Sequence, residues 1–246
     1  MGLELGGSSV LEDLDLVVEP GECIALVGPS GAGKTSLLRL LSSAHAPTRG
    51  RITIDGSDPS RARSAELRRL RSRIGFVHQQ HALVPELRAL QNVLVGRFGQ
   101  QGTLAGLRSL LWPSKGEIRD VHGVLARVGI DELLYRPTKR LSGGEQQRVA
   151  IARALYQQPH ALLADEPVAS VDPARARDTI ELLVELARER GMTLIVSLHD
   201  LGLALDHFPR LIGLRDGQVE FDLATEEVDG ERFDNLYRIH DPGHGA

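Results

Sequence analysis

Residues 28–35 read GPSGAGKT, an instance of the pattern G-x-x-x-x-G-K-[ST]. Its glycines let backbone N–H groups turn inward around phosphate oxygens, and a helix opening at the lysine aims its positive end at the same place. Gly28, Pro29, Ser30, Gly31, Ala32 and Gly33 are therefore read as a phosphate cradle. Lys34 should reach the β- and γ-phosphates of a nucleotide, and the Thr35 hydroxyl should ligate Mg²⁺. A second stretch, HALLADEP (160–167), is an apolar run ending in two carboxylates. Asp165 is placed to hold Mg²⁺, directly or through water, and Glu166 to orient and polarise an attacking water. Taken alone, these could be two solvated acids at a strand end. Beside a phosphate loop they point to hydrolysis rather than transfer to a substrate hydroxyl.

A third stretch, LSGGEQQR (141–148), is harder to explain. The residues after it, EQQRVAIARALYQQ, are strong helix formers, yet Gly143 and Gly144 fall in the first turn. Each costs about 0.5–1 kcal/mol relative to alanine. Ser142 and Glu145 fit the S-x-x-E capping box, which accounts for the helix start but not for the glycines. Bare backbone is needed there for some other reason.

The elements that must position these residues follow from periodicity. Short apolar runs alternate with longer helical patterns, which predicts an α/β fold around a largely parallel sheet. Strands are expected at 22–27, 74–77, 161–164, 193–198 and 210–215, and helices at 34–43, 117–128, 143–157, 174–190 and 200–206. Short antiparallel hairpins are expected around Pro20-Gly21 and at RITIDG (51–56). The stretch 86–158 reads as a helical insertion between core segments 1–85 and 159–246, with FGQQGTLAG (98–106) as a loop inside it. At 246 residues and 41% hydrophobic content the chain can bury a full core. Its net charge of -4 gives no global case for nucleic-acid binding. The single cysteine, Cys23, lies in an apolar strand and suits a reducing cytosol. MGLELGG lacks the regions of a secretory signal, and no apolar run approaches the ~18 residues of a membrane span, so the reading is a soluble cytosolic chain.

With GPSGAGKT, VHQQ (77–80), LSGGEQQR, LLADEP, ASVD (169–172) and SLHD (197–200) in that order, the chain resembles the ATP-binding subunits of ABC transporters over nearly its whole length. The resemblance implies a P-loop NTPase core of RecA type with an antiparallel β subdomain and a helical subdomain carrying LSGGEQQR. ATP and Mg²⁺ are the implied ligands. It also implies a head-to-tail homodimer in which each ATP lies between one subunit's phosphate loop and the other's LSGGEQQR. That would explain Gly143 and Gly144, since a partner's γ-phosphate can approach N–H groups only where no Cβ stands in the way. Gln79 resembles the glutamine that senses Mg²⁺ and the attacking water. His199 resembles the γ-phosphate histidine, Asp172 the aspartate that communicates across the dimer, and Ser36 the residue that follows Thr35 onto the α-phosphate. Transmembrane permease subunits, an extracytoplasmic solute-binding protein and a peripheral position on the cytoplasmic side of the cell membrane are implied in the same way.

A narrower resemblance is to the phosphonate-import branch, carried by NVLVGRFG (92–99), RSLLWP (108–113), LADEPVASVDP, VSLHDLGLA and IGLRDGQVEFD. The chain departs from common family usage at Ala164, Val168 and His78, where an aliphatic residue, a hydroxyl residue and an aromatic are more usual. It also departs at Leu5, which aligns with the aromatic that stacks on adenine. An ABC importer for another solute and a non-transport ABC ATPase stay open as alternatives. The stretch RARSAELRRLRSR (61–73) holds six arginines, but without interleaved aromatics it reads as an exposed helix rather than a nucleic-acid stripe.

Overall fold

The computed structural model describes residues 1–169 and 171–237. The chain begins with a two-stranded antiparallel sheet, β1 (Leu3–Leu5) and β2 (Ser8–Leu11), joined through Gly6 and Gly7. A six-stranded sheet follows: β3 (Cys23–Val27), β4 (Ile74–Val77), β5 (Ala161–Asp165), β6 (Thr193–Ser197), β7 (Arg210–Arg215) and β8 (Gln218–Ala224). Its spatial order is β4-β5-β6-β3-β7-β8, with every neighbouring pair parallel except the last. The carboxyl ends of β3, β4, β5 and β6 therefore share one edge, where open α/β sheets place their ligands.

The strands are apolar on both faces, as a covered parallel sheet requires. In β3, Ile24 and Leu26 pack with Leu37, Leu38 and Leu40 of α1 (Lys34–Leu41) and with Leu3 and Leu11 of the small sheet. Cys23, Ala25 and Val27 point the other way, into the core formed with α6 (Gly143–Tyr156), α7 (Pro173–Arg190) and α8 (Leu201–His207). Between β4 and β5 the chain is helical: α3 (Ala89–Leu94), α4 (Thr103–Leu111), α5 (Lys115–Arg127) and then α6. The exposed arginine stretch forms α2 (Ser64–Ser72); Arg61 and Arg73 pair with Asp58 and Asp55, and Arg71 donates to the Ser43 carbonyl. A last helix, α9 (Gly230–Tyr237), packs back on the β7–β8 end of the sheet. Among the described residues, no helix is long and apolar enough to cross a membrane.

Three local expectations are corrected. The antiparallel pairing is at β1–β2 rather than around Pro20-Gly21 or within 51–56, where only an isolated Ile54–Ser57 bridge forms. Leu14, Leu16 and Val18 satisfy their alternating pattern by packing on the core, without a ladder partner. The loop expected over 98–106 ends at Gly102, because α4 starts at Thr103. Gly106 is a packing glycine inside that helix: a Cβ there would lie 3.3 Å from the Phe98 ring. The sequence reading also missed β8. Its hairpin turns at Asp216-Gly217, both with positive φ (49° and 79°), the conformation that Asp-Gly pairs favour.

Candidate active site

The phosphate loop joins β3 to α1 and is shaped by contacts behind it. Gly28 (φ 145°) lies against β7, where a Cβ would sit 2.0 Å from the Leu214 carbonyl oxygen. Gly33 (φ 102°) caps α1 beside β2, where a Cβ would lie 2.6 Å from Leu11 Cδ2. No larger residue fits either place. Lys34, 4% exposed, folds back so that Nζ donates to the carbonyls of Gly28 (2.8 Å) and Pro29 (3.0 Å). Burial lowers its pKa, while Glu166 and Asp165 pull it up. Ser36 follows on the first turn of α1.

The carboxylates arrive at the end of β5. Asp165 is 7% exposed, and its Oδ1 accepts from Thr35 Oγ1 (3.0 Å) and from Ser197 Oγ (2.9 Å). Ser197 is its register partner on β6, and the same hydroxyl accepts the Glu166 N–H at 2.8 Å. Glu166 adopts φ 46°, a costly conformation for a residue with a Cβ, and this turns its side chain toward two partners. Gln79 Nε2 donates to Oε2 at 3.0 Å, and His199 Nε2 pairs with Oε1. Thus Lys34, Thr35, Gln79, Asp165, Glu166 and His199 converge at one sheet edge from separate stretches of the sequence.

The LSGGEQQR helix stands apart from this group. Ser142 caps α6 in a capping box with Glu145. Among the described residues, nothing lies within 4 Å of a Cβ built on Gly143 or Gly144. No hydrogen bond or ion pair among the described residues joins Ser142, Gly143 or Gly144 to residues 28–36. Instead the glycines border an open cleft of about 680 Å³ together with Gln79, His81, Asp172 and Arg175. Asp172 caps α7 by accepting the Arg175 N–H (3.1 Å). Ser170, in the ASVD segment, lies outside the described residues. Leu5 is 39% exposed at the end of β1, on the small sheet that packs against Gly33.

Four residues at or around the site were given no role by the sequence, although Ser197 falls in SLHD and Gln147 in LSGGEQQR. Ser197 ties Asp165 to the Glu166 backbone, and Gln147 of α6 donates to the Pro167 carbonyl. Arg153 of α6 grips the carbonyls of His81 and Ala82, a turn in which both residues have positive φ (59° and 47°). Tyr237 of α9 accepts a hydrogen bond from the Gly28 N–H at 3.1 Å.

The sequence profile of the ABC transporter family matches residues 11–169. The chain is 48% identical over 239 residues to "Phosphonates import ATP-binding protein PhnC 1" of Pseudomonas savastanoi pv. phaseolicola, spanning 96% of this chain and 89% of that one. It is 46% identical over 236 residues to "Phosphonates import ATP-binding protein PhnC" of Pseudomonas entomophila, spanning 96% and 89%. Among solved structures, it is similar to the dimeric, post-hydrolysis ATP-binding cassette MJ0796 bound to ADP and Pi (TM-score 0.79, 32% identity, 91% of this chain and 95% of that one). It is also similar to cbiO1 of Clostridium perfringens, part of the cbiONQ transporter complex (TM-score 0.79, 29% identity, 96% and 92%).

Proposed function

The chain belongs to the ABC transporter family, and from that premise we propose that it is the ATP-hydrolysing subunit of an importer for phosphonates or a related phosphorus oxyanion. The observation that carries the hydrolytic reading is the convergence of a water-directing Glu166 and a buried Asp165 on the phosphate loop through Thr35. The solute class rests on the names of the relatives.

ATP would lay its phosphates on the backbone N–H groups of residues 31–36 at the positive end of α1. Lys34 exchanges its hold on the Gly28 and Pro29 carbonyls for the β- and γ-phosphate oxygens. Thr35 Oγ1 and Asp165 Oδ1 are hard oxygen donors 3.0 Å apart. They are the donor type that would hold Mg²⁺, Thr35 directly and Asp165 directly or through water. No cluster of three His, Cys, Asp or Glu occurs among the described residues, and Mg²⁺ needs none, because phosphates and water fill its remaining positions. Bound there, the ion would neutralise charge on the phosphates. Glu166 takes up the proton of the attacking water, its two oxygens aimed by Gln79 and His199, with His199 placed to share the γ-phosphate charge.

The trans half of the site would come from a second copy, whose Ser142, Gly143 and Gly144 offer N–H groups and a helix dipole to the γ-phosphate. A homodimer docked on permease subunits at the cytoplasmic face of the membrane, served by a solute-binding protein, follows from this reading. The test is Glu166→Gln. It should retain ATP, lower turnover by about 10²–10⁴-fold and accumulate an ATP-bound dimer on gel filtration. Near-wild-type hydrolysis with only monomer present would remove Glu166 from its role.

A further inference from the structure

The phosphate loop has a contact that none of its own residues explains. Gly28 is buried one residue beyond the last paired residue of β3, so its N–H cannot turn to water. It donates to Tyr237 Oη, 209 residues away on α9 (3.1 Å). The carbonyl of the same glycine accepts from Lys34 Nζ (2.8 Å). One residue is thus held on its amide side by the C-terminal helix and on its carbonyl side by the lysine that serves the nucleotide. Gly28 has little other freedom, because its α-carbon lies against the Leu214 carbonyl.

The hydroxyl is not needed to dock α9. Leu236 is fully buried, Phe233 meets Phe221 edge-on with ring centroids 6.2 Å apart, and Arg215 donates to the Asn235 carbonyl. A phenylalanine at 237 would satisfy the same packing. Among the described residues, the hydroxyl adds an acceptor for the phosphate loop's first amide. Burial raises the Tyr237 pKa, so the group stays a neutral phenol through the physiological range.

We propose that Tyr237 is a positioning residue for nucleotide binding, fixing Gly28 and with it the start of the phosphate loop's amide cradle. This rests on the ATP-binding reading above and extends it, because it makes α9 part of the nucleotide site. A factor that lifted α9 would loosen the phosphate loop without touching ATP. The cradle's amides serve the phosphates beyond the first, so the effect should follow phosphate number.

The test is Tyr237→Phe in the full chain, with dissociation constants for ATP, ADP and AMP from titration calorimetry, KM and kcat for ATP, and melting without nucleotide. Without that anchor the loop must be ordered on binding, which predicts about a fivefold weakening for ATP and ADP. AMP binding should be unchanged, KM should rise while kcat moves less than about twofold, and the nucleotide-free melting temperature should fall by a few degrees, because the buried Gly28 N–H loses its acceptor. Unchanged ATP and ADP affinities would overturn the proposal, whether or not the melting temperature falls. Equal weakening for AMP would overturn it too, by showing a general distortion. If wild-type protein binds ATP but does not hydrolyse it, the hydrolytic reading fails while the affinity comparison still decides the role of Tyr237.

Discussion

Gly144→Asp should raise the stability of the isolated chain and abolish its hydrolysis. Gly144 is the second helical residue of α6, and among the described residues nothing lies within 4 Å of a Cβ built on it, so the new side chain has room there. Replacing glycine in a helix recovers a few tenths of a kcal/mol of backbone entropy. A carboxylate in the first turn gains about 0.3–1 kcal/mol from the dipole, less what repulsion from Glu145 removes. The sum is about 0.5–1 kcal/mol, or a rise of about 1–4 °C in Tm for a chain of this size. In the proposed dimer the same carboxylate would face a γ-phosphate. Losing the donors there, with a like charge put in their place, should lower kcat by about 10²–10³-fold or more. Binding in cis through Lys34 should survive, because among the described residues no hydrogen bond connects α6's first turn to residues 28–36. The assays are calorimetric melting, ATP binding at low protein concentration, and phosphate release. Raised Tm with intact hydrolysis would refute the trans site. A lowered Tm together with lost ATP binding would show that the glycine serves its own chain.

Leu5→Tyr should tighten ATP several-fold over GTP, since stacking on a base is worth about 1–3 kcal/mol and Leu5 already offers an exposed apolar contact; competition titrations would read it, and unchanged base preference would mean that adenine sits elsewhere. Burial alone would raise the Glu117 pKa, but hydrogen bonds from Ser109, Ser114 and Arg108 hold it down at about 2 against a usual 4.5. Its contribution is therefore complete above about pH 4.5 and lost as pH falls toward 2, so Glu117→Gln should lower the melting temperature at pH 7 and cost progressively less below pH 4.5. Cys23 is 5% exposed on β3, and burial pushes its thiol pKa up. A thiol reagent should label it at the rate of unfolding, and fast labelling of native protein would contradict the packing.

The sheet's five parallel strands were legible because each is a short apolar run between helical patterns, and the motif residues because glycines, lysine and paired acids recur in fixed local spacing. Register was not legible. Ser197 looks like the end of an apolar strand, and only the Asp165–Ser197 pairing of β5 with β6 turns it into the link between both carboxylates. Tyr237 is hidden for the same reason, since nothing local ties it to a glycine 209 residues earlier. Arg153 reads as an ordinary helix residue until α6 is laid beside the strained turn at His81 and Ala82. The misplaced hairpins show the converse. Apolar alternation at Leu14, Leu16 and Val18 announces burial, and burial can be met without a neighbouring strand.

Lys34's folded-back ammonium bears on how readily the site empties. A buried cation with no partner is costly, and a loop that depended on phosphate for neutralisation would hold its nucleotide tightly. The Gly28 and Pro29 carbonyls lie within hydrogen-bond reach of that ammonium, so a departing phosphate leaves it with partners. Part of the gross attraction to phosphate is cancelled in advance. For a motor that must discharge ADP on every stroke, that cancellation favours exchange over retention.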